Sequence, residues 1–210
     1  MSALFLLTTF LLTTVPDEAA ICAQVDPAGS AVVERISRDD GLRGVWACGY
    51  IAAPPEDVYA ALIDYETYPE WMDKIGATNA DWASPATADV AYRLDLRWGE
   101  FNYTLRRSHV KPHRISWTMV EGDWDAVEGY YHLRPTADGR HTLLFMQQFL
   151  DPGRYIPGFI ERYFQQRASR QLIEDIRAET MRREARRPTE RTPGPDAWTE
   201  AADGQSESVD

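Results

Sequence analysis

The chain has 210 residues, 44% of them hydrophobic and 11% aromatic, and 22 Lys and Arg against 33 Asp and Glu give a net charge of −11. This length and apolar fraction fit one globular domain with tails and exclude a fibrous or wholly disordered chain. Two cysteines exclude a disulfide-rich miniprotein and a four-thiolate zinc site. The acidic balance argues against a nucleic-acid partner, because neutralising phosphates requires a surplus of basic residues.

The N-terminal segment predicts export. Residues 1–15, MSALFLLTTFLLTTV, form an apolar run with the length of a secretory h-region. Small residues follow at Ala19, Ala20 and Ala23. We therefore predict a signal peptide over residues 1–23 and a secreted or periplasmic protein. A membrane anchor is the alternative, because no basic residue precedes the apolar run.

The two cysteines leave three alternatives open. Cys22 can pair with Cys48 in an oxidising compartment, or it can be removed together with the signal peptide. Acylation of Cys22 as a lipoprotein is the weakest alternative, because Ile21 stands where a small residue is expected.

The two flanks of the folded domain differ in composition. Residues 187–210 are rich in Pro, Ser, Gly and acidic residues and contain one aromatic residue. Such a segment buries too little apolar surface to fold, so a disordered acidic tail is predicted. Residues 24–41 are interpreted as an N-terminal extension, which leaves one folded domain over residues 42–186.

The folded domain is predicted to begin with a strand and two short helices. The strand covers residues 45–51, and the prolines and acids of residues 54–57 suit the first turn of a helix. Apolar residues at helical spacing follow at Val58, Ala61 and Leu62. A second helical piece is predicted over residues 65–72, interrupted by Pro69.

Alternating apolar and polar residues then predict a series of antiparallel strands. The first alternation covers residues 90–98 and the second covers residues 101–106, with hairpin spacing between them. Three further strands are predicted near residues 115–119, 124–133 and 141–150. The last is apolar on both faces, so both of its sides are expected to be covered.

A long C-terminal helix closes the predicted domain, from Pro157 to about Ala185. Its apolar positions recur every four residues at Ile156, Ile160, Phe164, Ala168, Leu172 and Ile176. One face of this helix must therefore lie on the sheet. The predicted order is a strand, two short helices, about six antiparallel strands and one long helix, which is an α+β architecture.

Four sequence phrases accompany this order of elements. They are IAAPPEDVY at 51–59, DYETYPEW at 64–71, GYYHLRP at 129–135 and DPGRYIP at 151–157. As an ordered set over residues 42–185, they resemble the START-like, polyketide cyclase/coenzyme Q-binding (SRPBCC) superfamily of helix-grip proteins. The resemblance implies a curved antiparallel sheet of about six to seven strands wrapped around the C-terminal helix. It also implies a cavity between them that holds a lipid, sterol, quinone or polyketide.

The side chains predicted to line that cavity are mostly large and apolar, which suits a ligand pocket with few polar groups. They are Trp71, Tyr92, Leu94, Leu96, Trp98, Phe101, Tyr103, Leu105, Arg107, Trp117, Met119, Tyr131, Phe145, Ile160 and Phe164. A bulky core without a ligand is the alternative for each aromatic residue. Arg107 shares the strand parity of Tyr103 and Leu105, so it is expected to orient a polar end of the ligand. The alternative is a strand end in solvent, because a buried unpaired charge is costly.

Two features suggest contact with a membrane surface. Trp71 and a loop expected over residues 73–88 are predicted to gate the cavity and to touch a membrane transiently, by analogy with lipid-transfer relatives. Several arginines also collect between residues 177 and 187. Most of these are expected to complement the helix dipole and to form pairs such as Glu179 with Arg183, with a membrane patch as the alternative.

The sequence contains no strong signal for catalysis. The four histidines show no metal-ligand spacing, and no nucleophile elbow, phosphate loop or dinucleotide fingerprint occurs. We therefore expect no metal or cofactor and favour a carrier of one hydrophobic small molecule. The alternative is a cyclase, hydratase or hydrolase acting on an aromatic or polyketide-like substrate, with Arg107, His109 and Glu128 as candidate groups. A ligand-free interaction module is the third hypothesis.

Overall fold

The computed structural model describes residues 18–97, 99–153 and 167–186. Within these residues one antiparallel sheet contains the strands β1 (Val32–Ser37), β2 (Arg43–Ile51), β3 (Ile75–Ser84), β4 (Thr87–Leu96), β5 (Gly99–Val110), β6 (Arg114–Gly122), β7 (Ala126–Pro135) and β8 (Thr142–Asp151). The α-helices are α1 (Glu18–Cys22), α2 (Pro55–Ile63), α3 (Tyr68–Trp71) and α4 (Ser169–Arg186). A 3₁₀ turn, Tyr65–Thr67, separates α2 from α3.

The sheet order is β1-β2-β8-β7-β6-β5-β4-β3. Strands β3 to β8 thus form a meander in chain order, and β2 lies between β8 and the edge strand β1. Helices α2 and α3 make the connection from β2 to β3, and α4 packs against α2, β1 and β2. The predicted α+β class, with an antiparallel sheet and a C-terminal helix, is confirmed.

Two strands were not predicted, and both are edges of the sheet. β1 lies in the segment interpreted as an extension, and β3 lies in residues 73–88, which were predicted as a gating loop. The loop prediction is wrong, because β3 pairs with β4 from Ala77↔Arg93 to Trp82↔Ala88. Its sequence, IGATNADWAS, is largely small and polar. An edge strand needs little apolar alternation, since much of it faces solvent.

The main core lies between the inner face of the sheet and the helices. Ile173 and Ile176 of α4 are fully buried there with Val58 and Leu62 of α2. Helix α4 comes so close to β2 that a Cβ atom on Gly49 would overlap Cγ2 of Ile173. Of the predicted stripe, Ile176 is fully buried and Leu172 packs partly buried against the same core, while Ile173, outside the predicted repeat, is buried as well. Ile156, Ile160 and Phe164, with the predicted start of the helix, lie outside the described residues.

A second, smaller core lies on the opposite face of β2 and β8, under α1. Its buried members are Ile21, Cys22, Trp46, Cys48 and Phe145. A disulfide joins Cys22 to Cys48, with 5.4 Å between their Cα atoms. The prediction that Phe145 faces the cavity is wrong, because the strand alternation directs it away from the main core and under α1. The expectation that β8 is covered on both faces is correct.

A buried carboxylate anchors the C-terminal end of α4. Glu179 is 2% exposed and accepts hydrogen bonds from Nε of Arg182 and Nε of Arg183, both at 2.6 Å. Arg183 also donates through Nη2 to Asp64 at 2.9 Å, which ties α4 to the segment after α2. The predicted Glu179–Arg183 pair is confirmed, whereas membrane contact by these arginines stays a prediction. Burial raises the pKa of Glu179, but the two arginine hydrogen bonds outweigh it and hold the pKa below its ordinary value.

Acidification is expected to destabilise the protein through Glu179. Because its pKa is lower in the folded state, this contribution is fully present above the ordinary value of 4.5 and is lost as the pH falls through the folded value. Glu179→Gln should lower the urea midpoint at neutral pH and make its decline on acidification shallower. Glu184→Gln, on the same helix, is the control and should keep the wild-type pH dependence. A Glu179→Gln profile parallel to wild type would contradict this assignment.

Candidate functional site

A cavity of about 160 Å³ lies between the inner face of the sheet, the α3–β3 connection and α4. The strands contribute Ile75, Tyr92, Leu94, Leu96, Tyr103, Leu105, Arg107, Trp117, Val127, Tyr131, Gln148 and Leu150, and the β6–β7 turn contributes Trp124. The helices, the α3–β3 connection and the residue before α4 contribute Tyr68, Met72, Asp73, Lys74, Ala168, Ser169, Gln171, Leu172 and Asp175. An apolar cavity of about 150 Å³ is known to admit benzene. The interior is therefore not filled by side chains and has room for a ring-sized group, and because the cavity is partly open, the rest of a larger ligand can extend out of it.

Eight of the predicted residues line this cavity: Tyr92, Leu94, Leu96, Tyr103, Leu105, Arg107, Trp117 and Tyr131. Trp71, Phe101 and Met119 are half-buried and pack against the same core without lining the cavity. Phe145 lies on the other face of the sheet, as described above. Trp98, Ile160 and Phe164 lie outside the described residues. Ligand contact by the lining residues stays a prediction.

Some lining residues could not be found from strand alternation. Trp124 lies in the turn between β6 and β7, where the period of two is broken, and it stacks on Phe101 at 4.6 Å between ring centroids. Tyr68 is on α3, and its hydroxyl donates to the carbonyl oxygen of Leu62 at 2.6 Å. Both reach the cavity only because distant parts of the chain meet there.

Arg107 lies at one end of the cavity and is 5% exposed. Its guanidinium carbon lies 4.9 Å from the ring centroid of Trp117, 5.3 Å from that of Tyr65 and 5.5 Å from that of Tyr92. Among the described residues, Nε and Nη1 of Arg107 have no hydrogen-bond partner. The Tyr92 hydroxyl meets no partner in good hydrogen-bond geometry, but it is close enough to the guanidinium to interact with it. Contacts with ring faces stabilise a cation but do not satisfy its N–H donors.

A glycine makes room for the aromatic ring beside Arg107. Arg107 pairs with Trp117 in the sheet register, and Trp117 pairs with Gly129 on β7. A Cβ atom on Gly129 would lie 2.8 Å from Cζ2 of Trp117 and still closer to the backbone oxygen of Gln147. Only glycine therefore lets the indole occupy its present position.

Tyrosine hydroxyls surround the guanidinium and remain neutral at physiological pH. Burial raises the pKa of Tyr131 to about 12 and raises the pKa values of Tyr65, Tyr92 and Tyr103 above their ordinary value. Burial alone would lower the pKa of Arg107, but the nearby tyrosines together outweigh burial and raise it. This end of the cavity therefore holds one positive charge and several neutral hydroxyl groups.

A tyrosine–histidine pair lies behind Arg107. Tyr65 Oη and His109 Nε2 are 2.6 Å apart, and the ring of Trp82 stacks on His109 at 5.1 Å. Burial lowers the pKa of His109, so the imidazole is neutral at pH 7. Neither Tyr65 nor His109 lines the cavity. Glu128, the other candidate acid, forms an ion pair with Arg38, so Arg107 alone of the three candidates reaches the cavity.

The other end of the cavity has a polar rim. The backbone N–H of Asp73, on the α3–β3 connection, donates to Asp175 Oδ2 on α4 at 3.2 Å. Gln171 donates to the other oxygen of Asp175 at 2.8 Å. Neighbouring Lys74 has a left-handed backbone conformation with a φ of 71°, which is uncommon for a residue with a side chain. This rim is where α4 meets the α3–β3 connection.

The described residues contain neither a cluster of metal ligands nor a membrane-spanning helix. No group of three or more His, Cys, Asp or Glu side chains in them could hold a metal ion. None of their helices is both long and apolar enough to cross a membrane.

Comparison with known proteins identifies the family. Residues 51–177 match the family described as polyketide cyclase / dehydrase and lipid transport, and the chain belongs to this family. The START-like resemblance of the sequence phrases is thereby confirmed. A comparison with curated proteins finds no significant match.

Solved structures with the same fold include both enzymes and lipid-transfer proteins. The chain is similar to the ZhuI aromatase/cyclase from Streptomyces sp. R1128, with a TM-score of 0.58, 16% identity and coverage of 73% of this chain and 96% of that one. It is similar to a STAR-related lipid transfer protein from Xanthomonas axonopodis, with a TM-score of 0.58, 16% identity and coverage of 74% and 96%. It is also similar to the human StarD13 lipid transfer and protein localization domain, with a TM-score of 0.60, 15% identity and coverage of 73% and 85%. At these identities the likeness shows the fold alone.

Proposed function

We propose that this protein binds and carries one hydrophobic small molecule in the cavity between the sheet and α4. The observation that carries the proposal is the composition of the described lining, which is mainly apolar and aromatic with a single buried charge at one end. Each 100 Å² of apolar ligand surface buried there contributes about 2.5 kcal/mol. Such a site retains a ligand without chemistry, and lipid transfer by relatives of the same fold supports this function.

The buried end of the cavity favours a carrier over an enzyme. Acid–base catalysis works best with a group whose pKa lies near the working pH. The described lining residues at this end are Arg107, tyrosines with raised pKa values and apolar side chains. These groups neither release nor take up a proton near pH 7.

Filling the cavity is expected to abolish ligand binding. Leu94 is half-buried and lines the cavity, so Leu94→Trp should direct a larger ring into the space that the ligand needs. We expect the affinity for a neutral fluorescent probe, N-phenyl-1-naphthylamine, to fall at least tenfold in a fluorescence titration. The fold should be retained because the enlarged side chain enters an existing cavity.

Ala91→Trp is the matched control for this variant. Ala91 lies on the same strand with opposite parity and is exposed, so a tryptophan there should leave probe affinity unchanged. Equal probe affinity in wild type and Leu94→Trp would contradict the carrier proposal.

A second experiment identifies the bound molecule directly. Extraction of wild-type protein purified from its native compartment, followed by mass spectrometry, should recover an unaltered hydrophobic compound.

The second candidate function is a cyclase, hydratase or hydrolase acting in the same cavity. The Tyr65–His109 pair favours it, because Tyr65 lies against Arg107 and a neutral imidazole could accept its proton. This reaction requires Tyr65 to turn toward the cavity. Loss of turnover of an aromatic substrate in Tyr65→Phe, with probe binding unchanged, would support the enzyme over the carrier.

The Cys22–Cys48 disulfide supports a secreted or periplasmic location, because disulfides persist in oxidising compartments. It also bears on where a signal peptide would be cut. Cleavage after residue 23 would remove α1 and leave the buried Cys48 unpaired, so we place the end of the signal peptide before Glu18. The intact mass of protein recovered from the periplasm tests this: a mature chain that starts at Gln24 would contradict it.

A further inference from the structure

The cavity contains an unneutralised charge. Arg107 is buried, and no described carboxylate pairs with it. Removing a guanidinium from water without a counter-charge costs several kcal/mol, and contacts with three ring faces recover only part of that cost. The neighbouring Arg106, by contrast, has a counter-charge. It is exposed on the outer face of the sheet and donates hydrogen bonds to Asp89 through Nε at 2.8 Å and Nη2 at 2.7 Å.

The two carboxylates of the described cavity wall, Asp73 and Asp175, do not supply that charge. Asp73 and Asp175 lie at the rim, close to Ile75 at the start of β3. Ile75 pairs with Leu94 on β4, and Leu94 pairs with Phe101 on β5, so the rim is at the position of Phe101 along β5. The Cα atom of Arg107 lies six residues further along β5 than that of Phe101, about 20 Å at 3.3 Å per residue, and neither Nε nor Nη1 of Arg107 is hydrogen-bonded to a described carboxylate. Among the described residues, nothing in the cavity wall neutralises Arg107, so the anionic group of a ligand inside the cavity would supply the missing charge.

We propose that the physiological ligand is a hydrophobic monocarboxylate, bound with its carboxylate against Arg107 and Tyr92 and its apolar part toward the rim. This inference rests on the proposed carrier function and names the ligand class of the same site. Nε and Nη1 of Arg107 have no hydrogen-bond partner among the described residues, and the Tyr92 hydroxyl, which interacts with the guanidinium, has its own O–H free to donate there. A carboxylate offers acceptors for all of them and accepts strong, charge-assisted hydrogen bonds from a guanidinium.

The number of charges favours a carboxylate over a phosphate monoester. The described cavity lining contains two cations, Arg107 and Lys74. Lys74 lies at the rim and its Nζ is 2.7 Å from Oδ1 of Asp73, so a single positive charge remains at the buried end. One carboxylate neutralises it, whereas a dianionic phosphate would leave a net negative charge in an apolar site.

Matched pairs of acid and methyl ester test this inference. 2-Naphthoate with methyl 2-naphthoate represents aromatic ligands, and dodecanoate with methyl dodecanoate represents aliphatic ones. For at least one pair, wild type should bind the acid more than tenfold more tightly than the ester by calorimetry or by displacement of the neutral probe. Arg107→Met should weaken binding of that acid at least about thirtyfold and leave ester binding within about threefold, as expected for removing one partner of a buried charge pair.

Two further measurements separate a binding role from a structural one. Arg107→Met replaces an unpaired buried charge with an apolar side chain of similar length, so the ligand-free variant should unfold at a higher urea concentration than wild type. Arg106→Gln, one residue away and on the outer face, should keep the wild-type ratio of acid to ester affinity.

Equal binding of acid and ester by wild type, or an unchanged ratio in Arg107→Met, would overturn the monocarboxylate assignment and leave the carrier proposal intact. No binding of any acid, ester or neutral probe would overturn both.

Discussion

Replacing both Cys22 and Cys48 with alanine is expected to lower the free energy of unfolding by about 3 kcal/mol. The disulfide joins residues 26 positions apart, so its removal enlarges the conformational freedom of the unfolded chain. Helix α1 has five residues, too few to be stable without tertiary contacts. Its release would expose Trp46 and Phe145, which it now covers.

Urea denaturation with and without reductant measures this effect. Wild type with dithiothreitol should unfold at nearly the same urea concentration as the double alanine variant, and the variant should be insensitive to reductant. Binding of the neutral probe should be unchanged under conditions where both proteins are folded, because α1 lies on the face of the sheet opposite the cavity. Coincident midpoints for oxidised wild type and the variant would contradict a stabilising disulfide.

The substitution Gly129→Ala is expected to disturb both stability and the cavity. The added Cβ would overlap the backbone oxygen of Gln147 and crowd the indole of Trp117. Overpacking of this kind costs about 1–3 kcal/mol. Because Trp117 lies against both Arg107 and Tyr131, its displacement should also weaken ligand binding.

Gly41→Ala separates the packing effect from a general effect of losing a glycine. Gly41 has a φ of 87°, and an added Cβ there would meet nothing within 4 Å. This control should lose about 1 kcal/mol through backbone strain alone and keep wild-type probe affinity. Near-ultraviolet circular dichroism should report the moved indole in Gly129→Ala alone. If the two variants have the same spectrum and affinity, Gly129 has no special role beside Trp117.

The sequence predicted most of the elements because their patterns are local. Alternation of side chains across a strand follows from backbone geometry, so the shared inward parity of Tyr103, Leu105 and Arg107 could be inferred without knowing the neighbouring strands. The same holds for the start of α2, where two prolines and two acids suit a first helical turn. The resemblance to the family rested on the order of these elements together with the four sequence phrases, and the match over residues 51–177 confirmed it.

Strands with weak patterns and residues in turns could not be predicted in this way. β1 and β3 are edge strands, and their pairing depends on β2 and β4 rather than on their own alternation. Trp124 lies in a turn, where neither the strand period nor the helical period applies.

The sequence by itself determined the antiparallel sheet, the C-terminal helix and which strand residues share a face, since these depend on near neighbours in the chain. Tertiary structure decided which segment covers each face of the sheet. Phe145 is buried under α1 and does not line the cavity, and the Cys22–Cys48 disulfide holds α1 in that position. It also decided that no described residue of the cavity wall neutralises Arg107. Both outcomes depend on residues far apart in the sequence, because electrostatic and packing contacts form between whichever elements the fold brings together.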